Sequence, residues 1–123
     1  MTLALLHDLA LLYLGLAHGV DQHLDPAETR QISASLRRWQ PDKDPALIDH
    51  VIREATLSYL NGAKLDRLRE AVHVLRDALS DDLRRTILQD LSEIARADGE
   101  ILSEERDFIR KIADEWDLEY PLA

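Results

Sequence analysis

Cysteine is absent from the 123 residues, so disulfides, thiolate metal sites, thiol redox chemistry and cysteine nucleophiles are all excluded. Glycine and proline are scarce, at four each, which argues against a turn-rich all-β fold. Basic residues are in deficit: 15 Lys and Arg face 24 Asp and Glu, a formal charge of −9. A chain so acidic is a poor nucleic-acid binder, because that affinity rests on neutralising phosphates. Anionic membrane surfaces are disfavoured for the same reason. The counterparts to expect are cations, basic protein surfaces or apolar grooves. No Lys or Arg precedes Arg30, so the leucine-rich start lacks the basic head of a secretory signal. Nor is there a long apolar run. His7, Asp8 and His18 interrupt it, and the unbroken stretch Leu9 to Ala17 is well short of the ~20 residues a spanning helix needs. The expectation is a helix buried on most of its circumference, no direct membrane insertion, and a cytoplasmic protein.

What is present is an ordinary globular balance, 46% hydrophobic and 32% charged, at a length typical of one domain. Helix starts and stops divide the chain. The first helix is expected from about Thr2 to Gly19. Asp25-Pro26-Ala27-Glu28 then combines a capping Asp, a Pro at the first helical position and a Glu that closes a capping box. Ile32, Leu36 and Trp39 share a face of the helix that follows, and Pro41 ends it. Asp44-Pro45 opens a third helix with a stripe of Leu47, Ile48, Val51, Ile52 and Ala55, stopped at Asn61-Gly62. Leu65, Leu68, Val72, Leu75 and Leu79 follow at spacings of three and four, a seam for internal packing or for a homodimer. Ser80-Asp81-Asp82 caps a fifth helix with Leu83, Ile87, Leu91 and Ile94 inside. Asp98-Gly99 breaks the chain, and Ser103 restarts it with Phe108, Ile109, Ile112, Ala113 and Trp116 on one face. Nothing alternates with a period of two. The reading is all-α: one compact bundle of six to seven helices forming a single domain over residues 1–123.

The chain also repeats itself at an offset of 77 residues. Leu14 to Ile32 lies over Leu91 to Ile109, which pairs Asp21 with Asp98, Glu28 with Glu105 and Trp39 with Trp116. These are the two Trp residues of the chain, each eleven positions after its Glu, which supports the register. The halves run from about 11 to 39 and from 88 to 116. Each is helix, acidic loop, capped helix, and packing about a pseudo-twofold axis would bring the loops together.

The second loop, Asp98-Gly99 with Ile101 and Glu105, matches the back half of an EF-hand loop. There a Gly allows the sharp turn, an apolar residue anchors the loop, and a Glu reaches back from the next helix. The front half is missing, since the first and third ligand positions would be Ile94 and Arg96. One loop cannot supply the 6–8 oxygens that Ca²⁺ prefers. The first loop keeps Asp21, Leu24 and Glu28, has Gln22 in place of the Gly, and adds His23 and Asp25.

The pattern ARADGEILSEE (Ala95 to Glu105), with its looser copy AHGVDQHLDPAE (Ala17 to Glu28), resembles the tellurite-resistance TerB family. It is also similar to the TerB-like domain at the N-terminus of a membrane-anchored J-domain co-chaperone. The resemblance covers nearly the whole chain. It implies a seven-helix pseudo-symmetric fold, no established enzymatic activity, and divalent-cation binding by acidic loop residues. It also implies a stress-response role in membrane-associated protein complexes. Carried onto this chain, the metal candidates are Asp21, Glu28, Asp98 and Glu105, with Ca²⁺ or Mg²⁺ as the cation and no organic cofactor; Gln22 departs from the pattern.

Each feature has a plainer reading. Asp25 and Glu28 can serve as a capping box alone, and acids in a first turn are favoured by the helix dipole by ~0.3–1 kcal/mol. The acidic stretch from Asp98 to Glu119 is a solvated face, or a docking surface for a basic partner. The Trp residues are core plugs at helix ends. His7, His18, His23, His50 and His73 are scattered, without the spacing of a helical zinc site. No phosphate loop, nucleophile elbow or HExxH motif is present, so an enzyme is not expected. A metal-independent interaction or dimerisation domain, using the acidic face or the Leu seam, is the alternative function.

Overall fold

The computed structural model describes residues 2–19, 26–61, 64–97, 99 and 101–121, with the side chains of 18, 19, 61, 64 and 65 excepted. Six helices are arranged in order: α1 (Leu3–Gly19), α2 (Pro26–Trp39), α3 (Pro45–Asn61), α4 (Lys64–Ala78), α5 (Asp81–Ala95) and α6 (Ser103–Glu115). Among the described residues there is no strand.

The helices begin where local chemistry dictates. Pro26 and Pro45 occupy first positions, where the missing N–H costs nothing. The Asp44 carboxylate accepts from the Ala46 N–H at 2.9 Å, and the Ser80 hydroxyl accepts from the Leu83 N–H at 3.4 Å. The end of α6 is a Schellman motif. The Leu118 N–H reaches the Ala113 carbonyl at 2.9 Å and the Asp117 N–H reaches Asp114 at 3.2 Å, with Asp117 at φ +54°. Aspartate tolerates that left-handed conformation better than most residues.

Helix α1 sits at the centre and touches all five others. That explains its composition: a helix apolar all round is buried all round. Every residue from Leu9 to Leu14, together with Leu16 and Ala17, is buried. The remaining helices are amphipathic and turn their stripes inward. Ile32 and Leu36 come from α2, Ile48 and Ala55 from α3, Leu75 from α4, Ile87 and Leu91 from α5, and Ile109 and Ala113 from α6. Of the expected seam on α4, Leu75 is buried while Leu68, Val72 and Leu79 are half-buried against the core; the side chain of Leu65 lies outside the described residues. Around α1 the elements pair as α2 with α3 and α5, α3 with α4, and α5 with α6. The helices α4 and α6 face each other across a groove floored by Leu12 of α1. No described helix is long and apolar enough to cross a membrane.

Candidate functional site

Glu28 and Glu105 are the third residues of α2 and α6, and both are buried, at 3% and 4% exposure. That is unusual for glutamate, which is rarely hidden unless paired. The helix geometry accounts for part of the burial. A carboxylate at the third position faces the unpaired N–H groups of the first turn and the positive end of the helix dipole. Glu105 uses it: one carboxylate oxygen accepts from the Leu102 N–H at 2.9 Å, which is the half of a capping box that needs no Ser. The loop before it contains Gly99 at φ +91°, whose N–H donates to the Arg96 carbonyl at 2.8 Å. An added Cβ there would meet nothing within 4 Å, so the glycine is required for its backbone angle and not for space.

Asp21 and Asp98 lie outside the described residues, as do Gln22, His23, Leu24 and Asp25. The structure therefore places two of the four predicted ligands, at equivalent positions of the two helices that follow the loops. Among the described residues no three histidine, aspartate or glutamate side chains gather to hold a metal ion. Of the histidines, His7 is half-buried on α1, while His50 and His73 are exposed on α3 and α4.

A second polar cluster was not anticipated from the sequence. Asp90 of α5 is buried among apolar neighbours yet carries three donors. The Tyr13 hydroxyl donates to Oδ2 at 2.5 Å, the Trp39 indole N–H to the same oxygen at 2.7 Å, and Arg38 Nη2 to Oδ1 at 3.0 Å. Arg38 also reaches Glu93 at 2.8 Å, and Gln31 reaches Glu93 at 3.3 Å. Burial, and then the Asp90 charge, push the Tyr13 hydroxyl well above its usual ionisation range. The hydrogen bond to Glu93 holds the Arg38 guanidinium more firmly protonated, aided by Asp90. The cluster ties α1, α2 and α5 together through the Asp90 carboxylate. Tyr13 and Asp90 are 77 residues apart, a separation equal to the offset read from the sequence.

The two Trp residues do sit at helix ends, and their indoles are used differently. Trp39 closes α2 and is half-buried over Asp90; Trp116 follows α6, is buried, and donates to the Val72 carbonyl of α4 at 3.0 Å.

The family model described as "Tellurite resistance protein TerB" matches residues 8–119. The chain belongs to the TerB family. No curated protein and no solved structure matches it. TerB is an all-α fold, as is this chain among the described residues, and the match runs from within α1 to beyond α6. In this TerB chain the sequence signal for the Asp90 cluster was available in principle. Asp90 falls three after Ile87 and four before Ile94, on the inward face of α5, where an acid needs buried donors.

Proposed function

We propose that this TerB chain is a non-catalytic module of a tellurite-resistance-like stress response. In this reading it binds a divalent cation through its two acidic loops and presents a surface to a protein partner, in the cytoplasm. The observation that carries the metal half is the burial of Glu28 and Glu105 together, at matching first-turn positions after the two loops. Asp21 and Asp98, each seven residues before its glutamate in the sequence, would complete an all-oxygen donor set of the kind that Ca²⁺ and Mg²⁺ prefer. The cap that Glu105 makes is compatible, since a carboxylate offers about four lone-pair sites. The Tyr13–Asp90 contact between equivalent repeat positions supports a pseudo-twofold arrangement of the halves, with the single domain spanning residues 1–123.

A cation bound only by the folded chain stabilises it by mass action. Millimolar Ca²⁺ or Mg²⁺ is therefore expected to raise Tm above that in EDTA, and calorimetry to show saturable binding. Asp21→Asn and Asp98→Asn should each blunt the rise if both loops share one ion; an effect of one alone means a single-loop site. No rise and no binding heat would reject the metal half. The interaction half would stand, because the groove between α4 and α6 favours it independently.

A further inference from the structure

We propose that the groove between α4 and α6 is the docking site for an amphipathic helix of a partner protein, its apolar stripe bordered by lysines or arginines on the flank that meets α6. The inference rests on the interaction half of the function above and is independent of the metal. The groove encloses about 510 Å³, within the range of clefts that bind ligands. Its floor is apolar: Leu12 of α1, Leu68 and Val72 of α4, Phe108 and Ile112 of α6. Each of the two walls presents its pair at a spacing of four, one row of side chains along a helix face. A partner helix with anchors at i, i+3 or i+4, and i+7 is the shape that fills such a trough.

Charge selects the partner. The α6 wall carries Glu104, Asp107 and Glu115 against Lys111 alone, while the α4 wall carries Arg69 and His73 with no acid. Some surface charges pair along their own helices, as Arg67 does with Glu70 and Arg85 with Asp82. On the α6 wall Asp107 pairs in this way with Arg110, at 3.6 Å. Glu104 and Glu115 are left to the solvent on a chain of charge −9, a field that draws in a basic flank and sets its side. The trough is also preformed. The Trp116 indole bond to the Val72 carbonyl pins the end of α6 to α4, so docking requires little rearrangement of the walls.

The test uses the full chain in EDTA, so that loss of the metal reading leaves it intact. The probe is an 18-residue synthetic helix with a leucine stripe, lysines on one flank and glutamines on the other. Two controls share its length: one with glutamates in place of the lysines, one with the leucines scattered around the helix. Saturable binding of the probe, with each control at least about tenfold weaker, is expected, and so is a loss of similar size in Phe108→Ala. Methyl resonances of Leu68, Val72 and Ile112 in the unsubstituted chain should shift with the probe, which removes any dependence on how well the variant folds. Equal binding of a control, shifts confined to another face, or no binding would overturn the proposal. So would a concentration-dependent dimer that already covers those methyls, or displacement of the probe by dodecanoate, which would make the occupant a second copy or a small amphiphile.

Discussion

Asp90 shows how one buried charge organises its surroundings. It sits where an apolar residue would be expected, and three side chains from two other helices aim donors at it. Tyr13→Phe leaves Trp39 and Arg38 in place and is expected to cost about 1–3 kcal/mol at neutral pH, measured by urea denaturation. The same variant tests the ionisation of Tyr13. Its folded-state value is raised by burial and by Asp90, so below pH ~10 both states keep the proton and stability is intact. Above that the unfolded chain releases the proton and the folded chain does not, so stability falls as pH rises. Tyr13→Phe should make the decline between pH 9 and 11 shallower; an unchanged slope would assign the decline elsewhere. At the end of α6, Asp117 occupies a left-handed position that glycine adopts without strain. Asp117→Gly is expected to raise stability by about 0.5–1 kcal/mol. Gly99→Ala should do the opposite, at about 1–2 kcal/mol, through the backbone alone, since its Cβ would touch nothing.

At the scale of elements, α1 is the unusual member. An amphipathic helix tolerates losses on its outer face; α1 has no outer face between Leu9 and Leu14. Leu11→Ala, at a position that would be solvated on an ordinary helix, is therefore expected to cost about 2–5 kcal/mol, as a core truncation does. A thermal melt with a shift as small as that of a surface change would contradict the central placement of α1. Gly15 belongs to the same packing. A Cβ there would come within 2.7 Å of a Leu68 methyl, so the glycine lets α4 approach α1 closely beneath the groove. Boundaries of this kind were legible in the chain. The Asp44-Pro45 start, the Ser80 cap, the restart at Ser103 and the uniform apolarity of α1 are local signals, and local signals fix where helices begin and which faces are hidden. The restart shows the limit: Glu105 caps Leu102 through its own carboxylate, with no hydroxyl on the partner residue.

For the whole molecule, the net charge of −9 sets a uniform self-repulsion, to which the exposed acids Asp107, Asp114, Glu115, Asp117 and Glu119 contribute. Raising salt from about 50 to 500 mM shortens the Debye length and is expected to raise Tm in EDTA. A fall would mean that the surface ion pairs outweigh the repulsion. If the acidic loops bind a cation, Ca²⁺ should act at far lower ionic strength than sodium does, which separates binding from screening.

The amino-acid chain alone determined the all-α class, a count of six to seven helices, the apolar centre and the family resemblance, because each depends on spacing, caps and composition that neighbouring residues carry. It also nominated Glu28 and Glu105 by their place after two similar loops. Only the tertiary structure decided that both are buried, that Asp90 holds Tyr13, Trp39 and Arg38 across three helices, and that α4 and α6 stand apart over Leu12. Those facts join residues up to 77 positions apart or leave space between them, and neither long-range pairing nor an unfilled gap leaves a periodic trace in sequence.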